Sequence, residues 1–306
     1  MEVISSRDLS KNYGATPALK TVNLSVRQGE IFGFLGPNGA GKTTFVKIML
    51  SFIRASFGEL NVLGSPPGKF DRKRIGYLPE RISIHPFLTA REFLRYQGRL
   101  IDLSGRFLEE RIDQCLAMVK MTEASDRRVE TYSKGMMQRI GVAQAVLGEP
   151  ELLVLDEPNS GLDPIGIQDI REIIQKERDR GATVFLNSHQ LLEVEKTCDR
   201  VAILNRGELV AAGTKEELSG KQGVIMELEN ASQKLLELFK KMDPTFKATG
   251  STLELAIPES EEERQLPSKI VESGARIISY SRRRESLEQI FARLIRSEER
   301  TSGANS

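Results

Sequence analysis

The stretch that most restricts this chain is "GPNGAGKT", Gly36 to Thr43, which follows the apolar run "IFGFL". It fits the template G-x-x-x-x-G-K-[ST]. The run before it reads as a strand and Phe45 to Ile53 as a helix, the flanks that template requires. Glycines let backbone N–H groups curl around phosphate oxygens, and a helix starting there turns its positive end towards them. Lys42 is then expected to reach the β and γ phosphates, and Thr43 to ligate Mg²⁺. A Gly-rich turn alone proves little, so the rest of the chain must supply what a phosphate loop needs.

Two further stretches do so. "LLVLDEP", residues 152 to 158, reads as an apolar strand ending in Asp156 and Glu157. A carboxylate at a strand end beside a phosphate loop can hold Mg²⁺, directly or through water, while its neighbour takes a proton from attacking water. Adjacent carboxylates are common on surfaces, and the pair gains meaning only with the loop. His189 follows the run "TVFLNS". A histidine at the C-terminal end of a parallel strand stands where α/β proteins bind ligands and can contact a γ-phosphate. His85, before Pro86 in a loop, reads as structural or surface.

Composition narrows the class. The chain has 306 residues, 39% hydrophobic and 28% charged, enough for a full core and a second small domain. Lys plus Arg number 44 against 43 Asp plus Glu, so net charge offers no general attraction to nucleic acid or anionic lipid. No nucleic-acid partner is expected. Cys115 and Cys198 are far apart, lack a metal-type spacing and read as reduced thiols. The start, "MEVISSRDLSKNYG", lacks the pattern of a secretory leader, and no stretch approaches the roughly 18 apolar residues of a membrane helix. If this chain works at a membrane, another chain crosses it.

Along the chain, short strands are expected to about residue 35, in "MEVISSRDL", "KTVNLSV" and "EIFGFLG". Between about 80 and 148 strand signals give way to apolar residues at helical spacing, with Met136, Ile140, Ala143 and Leu147 on one face. An α/β rhythm returns from "ELLVL" to "ELVAAG". After Gly220 the order strand, helix, strand, helix, strand, helix suggests an α+β appendage with its own core. The expected division is 1–218, with a helical subdomain at about 81–148, then 219–298, then a loose tail at 299–306.

"GPNGAGKTT", "YSKGMMQR", "LLVLDEPNSGLDP" and "NSH", in that order, resemble the nucleotide-binding subunit of ATP-binding cassette (ABC) transporters. The resemblance covers residues 2 to about 215. Within that class "IGYLPE", "YSKGM" and "ESLEQIF" look like the ATPase subunits of ABC-2 type exporters, which bear an extra domain after the cassette. The resemblance implies an α/β P-loop NTPase fold with a parallel sheet core, N-terminal antiparallel strands, an inserted helical subdomain and a small C-terminal α+β domain.

It also implies ATP hydrolysis with Mg²⁺ in a homodimer or pseudo-symmetric heterodimer that drives a separate transmembrane permease at the cytoplasmic face of the membrane. By the same resemblance Asn38, Gly39, Ala40, Gly41, Lys42, Thr43 and Thr44 hold the phosphates. Tyr13 stacks on adenine, Thr43, Glu80 and Asp156 serve the metal, and Glu157, His189 and Lys42 carry the chemistry. Ser133 and Gly135 complete a neighbour's site, and Asp163 couples the two sites.

Three positions depart from the family pattern. Glu80 stands where a Gln is usual, Asn159 replaces a common Thr, and "YSKGM" replaces the commonest signature, with Ser133 and Gly135 kept. Lys134 is expected to have an ordinary backbone and a side chain free to point away or add positive charge. Ser133 reads as the N-cap of a helix. Alternatives are an importer ATPase or a soluble ABC ATPase acting on ribosomes or DNA. A single cassette without sustained heptads weighs against the latter, and the absence of an Asn-Lys-x-Asp motif weighs against a GTPase.

Overall fold

The computed structural model describes residues 1–219, 223–257, 264–283 and 285–303. Contacts divide the chain into two compact units, Met1–Lys215 and Glu216–Ser306. The sequence reading placed this division at 218.

In the first unit β1 (Glu2–Tyr13) and β2 (Thr16–Arg27) form a long hairpin, and β4 (Phe57–Val62) adds to the other edge of β1, giving the antiparallel order β2-β1-β4. The inner face carries Ile4, Leu9, Leu19, Val22 and Val26, all buried. Strand β4 escaped the sequence reading because Phe57, Gly58 and Glu59 are exposed and only Leu60 and Val62 are buried.

The second sheet has the order β5-β6-β7-β3-β8-β9. It comprises β5 (Ile75–Leu78), β6 (Leu152–Asp156), β7 (Thr183–Asn187), β3 (Ile31–Leu35), β8 (Arg200–Asn205) and β9 (Glu208–Gly213). Every pairing from β5 to β8 is parallel, and β9 returns antiparallel to β8. Every residue of β3, β6 and β7 is buried, as expected for parallel strands covered on both faces.

Helices α1 (Lys42–Met49), α5 (Pro164–Asp179) and α6 (Leu191–Thr197) follow β3, β6 and β7. Between β5 and β6 lie α2 (Ala90–Leu100), α3 (Gly105–Met118) and α4 (Lys134–Val146), the expected helical insertion. Thr89 and Glu92 form a capping box that starts α2. Helix α4 does not bury one stripe alone. Gln138, Gly141, Val142, Ala145 and Val146 are buried with Ile140 and Ala143, because α4 packs against both its neighbouring helices and the sheet. Helix α1 begins at Lys42, earlier than the expected Phe45, and ends at Met49.

The core between the two sheets is centred on Phe34, Phe45 and Phe185, whose ring centroids lie 5.0 to 6.1 Å apart. Truncating one such ring to Ala costs about 3–5 kcal/mol. This packing fixes the C-terminal ends of β3, β6 and β7 next to the start of α1.

After the short helix α7 (Lys215–Leu218), whose first residue ends the first unit, the second unit runs β10 (Gly223–Glu229), α8 (Gln233–Met242), β11 (Lys247–Thr249), β12 (Thr252–Leu255), α9 (Leu266–Glu272), β13 (Arg276–Arg283) and α10 (Leu287–Gly303). The strand order β11-β12-β10-β13, all antiparallel, is a split β-α-β arrangement. Leu235 and Phe239 of α8 and Leu266 and Ile270 of α9 cover one face through Val224, Met226, Leu253 and Leu255. Helix α10 continues to Gly303, through part of the stretch read as a loose tail, because "SLEQIFARLIR" keeps a helical period. Residues 304–306 and 258–263, part of the expected charged helix, lie outside the described residues.

Candidate functional site

The loop from Gly36 to Thr43 joins the end of β3 to α1. Gly41 has φ 106°, and a Cβ there would lie 2.4 Å from the Ala18 carbonyl oxygen, so only glycine fits. Ala40 is buried, its N–H donates to the Pro37 carbonyl at 3.1 Å, and its carbonyl accepts from the Gly207 N–H at 2.9 Å. Asn38, Gly39 and Thr43 are exposed and Thr44 is half-buried. The loop is therefore anchored at its base with its crest open.

Lys42 is 8% exposed and folds over this loop, its Nζ donating to the carbonyls of Gly36 at 2.6 Å and Pro37 at 3.2 Å. Burial pushes its ammonium below the usual lysine range, against the opposing charges of Glu157, Asp156 and Glu80. Those charges mark the surroundings of the amine. Asp156, at the end of β6, is 2% exposed and accepts a 2.6 Å hydrogen bond from Asn187 Nδ2. Burial pushes its carboxyl up to about 6; Glu80 and Glu157 add to that, while the Asn187 bond and Lys42 oppose it.

Glu157 takes a left-handed backbone, φ 52°, unusual for a residue with a side chain and typical of strain kept at functional sites. Its N–H donates to the Asn187 carbonyl at 2.8 Å, and its own carbonyl accepts from Ser160 N–H at 3.1 Å and Gln138 Nε2 at 3.1 Å. Its Oε1 accepts from the His189 N–H at 3.1 Å and lies 2.8 Å from His189 Nδ1. Glu80, beyond β5, is exposed.

A second cluster gathers the remaining positions. Ser133 caps α4, its Oγ accepting from the Met136 N–H at 3.2 Å. Asp163 caps α5, its Oδ1 accepting from the Gly166 N–H at 2.8 Å. A Cβ on Gly135 would lie 3.1 Å from the Gly161 carbonyl oxygen, so the first turn of α4 rests on the loop before α5. Lys134 is exposed, with its methylenes lying against Gly161. The clusters meet through Gln138, which also donates to the Pro158 carbonyl at 2.9 Å. Tyr13 stands apart at the end of β1, paired with Thr16, half-exposed, with Lys11 Nζ 5.3 Å from its ring centroid.

Sequence reasoning missed Asn187 and Gln138. An Asn at the C-terminal end of a parallel strand was a usable signal. Gln138, only 3% exposed, gave none, since a polar residue in an amphipathic helix reads as solvent-facing.

A phosphate loop, two strand-end carboxylates and a histidine joined to one of them, on a mostly parallel sheet, define a P-loop nucleoside triphosphatase. The ABC transporter family model matches residues 19–160. An uncharacterized ABC transporter ATP-binding protein of Synechocystis is 39% identical over 96% of this chain and 85% of its own length. The bacitracin transport ATP-binding protein of Bacillus licheniformis is 32% identical over 96% of this chain and 97% of its own. The linearmycin resistance ATP-binding protein of Bacillus subtilis is 32% identical over 95% and 98%. A solved ATP-binding subunit of an ABC transporter, 30% identical, superposes with a TM-score of 0.67 over 71% of this chain and 91% of that one. This chain belongs to the ATP-binding proteins of ABC transporters, a family of ATPases. Its fold is that of the cassette expected from the sequence.

Proposed function

We propose that this chain is the ATPase of an ABC-2 type exporter: it closes head to tail with a second cassette around two ATP molecules and drives a separate membrane permease from the cytoplasmic face. The observation that carries this reading is the convergence of Lys42, Asp156, Glu157 and His189 at the ends of β3, β6 and β7. Export is supported by relatives named for resistance and antibiotic transport that match this chain through its second unit. Among the described residues no helix is long and apolar enough to cross a membrane, which fits a partner that does.

In this reading Asn38 to Thr44 cradle the phosphates, and Lys42 exchanges its loop carbonyls for β- and γ-phosphate oxygens. Tyr13 stacks on adenine. Glu157 takes the proton of the attacking water; the water oxygen bonds to the γ-phosphorus as the β–γ bridging bond breaks, leaving ADP and phosphate. His189, held by Glu157, faces the γ-phosphate. Ser133 and Gly135 close over the nucleotide of the other cassette, and Asp163 links the two sites.

Mg²⁺ bound with the nucleotide would neutralise phosphate charge. The donor set fits: the Thr43 hydroxyl, Asp156 and Glu80 are hard oxygen donors beside the loop, and the buried Oδ1 of Asn187 finds no partner among the described residues. No group of three acidic, His or Cys side chains placed to hold a metal ion occurs among the described residues, and none is needed where phosphates supply ligands.

Purifying the chain with its membrane partner and reconstituting both in vesicles tests the reading. ATP-driven movement from the cassette side to the opposite side is expected. Inward movement, or recovery without any membrane partner, would overturn export.

A further inference from the structure

The departure at Lys134 has a counterpart in the fold. Gly161 adopts φ 76°, and a Cβ placed there would lie 2.6 Å from Lys134 Cδ, 2.7 Å from Cγ and 3.0 Å from Cε. The lysine stem therefore lies flat across the Gly161 backbone. Beneath it, Gly135 faces the Gly161 carbonyl, and Leu162 Cδ2 would lie 3.5 Å from a Gly135 Cβ. Two residues on, Asp163 caps α5, and Gly166 in that first turn sits beside Arg139 of α4, whose Nη2 would lie 3.3 Å from a Cβ there. The segment 157–166 thus meets α4 at three successive places: Gln138 on the Glu157 and Pro158 carbonyls, the Lys134 stem on Gly161, and Arg139 beside Gly166 in the first turn of α5.

We propose that Lys134 is a positioning residue whose methylene stem clamps the 159–163 loop to the first turn of α4, so that engagement of nucleotide at Ser133 and Gly135 and the placement of Asp163 are one mechanical event. The inference rests on the reading of Ser133, Gly135 and Asp163 given above. Its physical basis is shape. Gly161 leaves a flat backbone surface that only a side chain from outside can cover, and an unbranched four-carbon stem covers it without demanding a partner for its ammonium, which stays in water. A glycine at 134 would leave Gly161 uncovered, with Gln138 at the Pro158 carbonyl and the Gly135 turn against the Gly161 carbonyl as the remaining contacts described between this loop and α4. The clamp thus belongs to the stem and not to the charge.

Hydrogen exchange of the 158–164 peptide in the full chain separates these features. Without nucleotide, Lys134→Ala is expected to speed exchange of this peptide about fivefold to tenfold, from loss of the methylenes that cover Gly161. Lys134→Met, which keeps an unbranched stem without charge, is expected to retain wild-type protection. In the ATPase assay with the membrane partner, Lys134→Ala is expected to lower the Hill coefficient for ATP towards one, while ATP affinity of the isolated chain stays within about twofold. The proposal is overturned if Lys134→Ala exchanges like the wild type, or if Lys134→Met behaves like Lys134→Ala, which would make the charge the active feature. The nucleotide-free arm does not depend on ATP turnover. Its outcome therefore stands even if the transporter reading fails, and unchanged cooperativity alongside lost protection would refute the coupling alone.

Discussion

His189 meets Glu157 twice: its backbone N–H donates to Oε1 at 3.1 Å, and its ring Nδ1 lies 2.8 Å from the same oxygen. The contact uses the Nδ1 proton, so a neutral ring offers only an acceptor at Nε2, and only the imidazolium has a second N–H to give a phosphate. The ring is itself exposed, leaving Nε2 open to the site. His189→Ala is expected to lower kcat by about 10²-fold with ATP affinity changed less than about threefold. Steady-state turnover and equilibrium ATP binding check this split; equal losses in both would assign the ring to binding.

Glu157 holds its carboxylate in place through a strained backbone tied down by Asn187, Ser160 and Gln138. Glu157→Gln preserves size and those backbone bonds while removing the proposed base. Turnover is expected to fall by about 10²-fold or more with ATP binding retained. Near-normal hydrolysis by the purified complex would remove Glu157 from its proposed role.

Substitutions at Lys42 and Gly41 are expected to weaken ATP binding by different routes. Lys42→Ala removes the amine that bonds the Gly36 and Pro37 carbonyls, and ATP affinity should drop by about tenfold or more. Gly41→Ala leaves the amine but drives a methyl into the Ala18 carbonyl, so the loop itself should lose shape. Calorimetric titration with ATP is expected to show both losses, and a lower melting temperature for Gly41→Ala alone.

Ser133 is exposed and caps α4. Ser133→Ala should cost about 1 kcal/mol of stability through the lost cap. Ser133→Arg adds bulk at the face proposed to close on the second cassette. In a Glu157→Gln background, ATP-driven dimerisation read by light scattering should persist for Ser133→Ala and vanish for Ser133→Arg. Dimerisation of the arginine variant would show that this face lies outside the closure.

Asp169 on α5 receives Lys120 at 2.7 Å and Arg139 at 2.9 Å, joining the turn after α3, and α4, to α5. Burial pushes its carboxyl up, but the two hydrogen bonds and their charges together outweigh this and hold it below the usual 3.8. Because the folded value is the lower one, its stabilisation is present above the unfolded pKa and is lost as pH falls below about 3.8 through the folded value. Asp169→Asn should therefore destabilise the protein at pH 7, and the gap from wild type should shrink under acid. Urea unfolding at pH 7 and below pH 4 tests this; a constant gap would contradict it.

Some of this protein was written locally. The phosphate loop at 36–43, the acidic strand end at 156 and 157, and the alternation of strands and helices rest on contiguous residues, because loop chemistry and side-chain periodicity are properties of neighbours along the chain. The split arrangement of the second unit could not be read that way, since β10 pairs with β12 and β13 across intervening helices. Nor could the Asn187 bond to Asp156, 31 residues away, or Gln138 reaching the Glu157 carbonyl. Lys134 shows the difference most plainly: its sequence position suggested a side chain free to point away or add positive charge, and only the fold shows its stem lying on Gly161. Sequence patterns picked out the residues proposed to bear the chemistry. Tertiary packing decided what holds them, because those distances are set by how the sheets and helices close on one another.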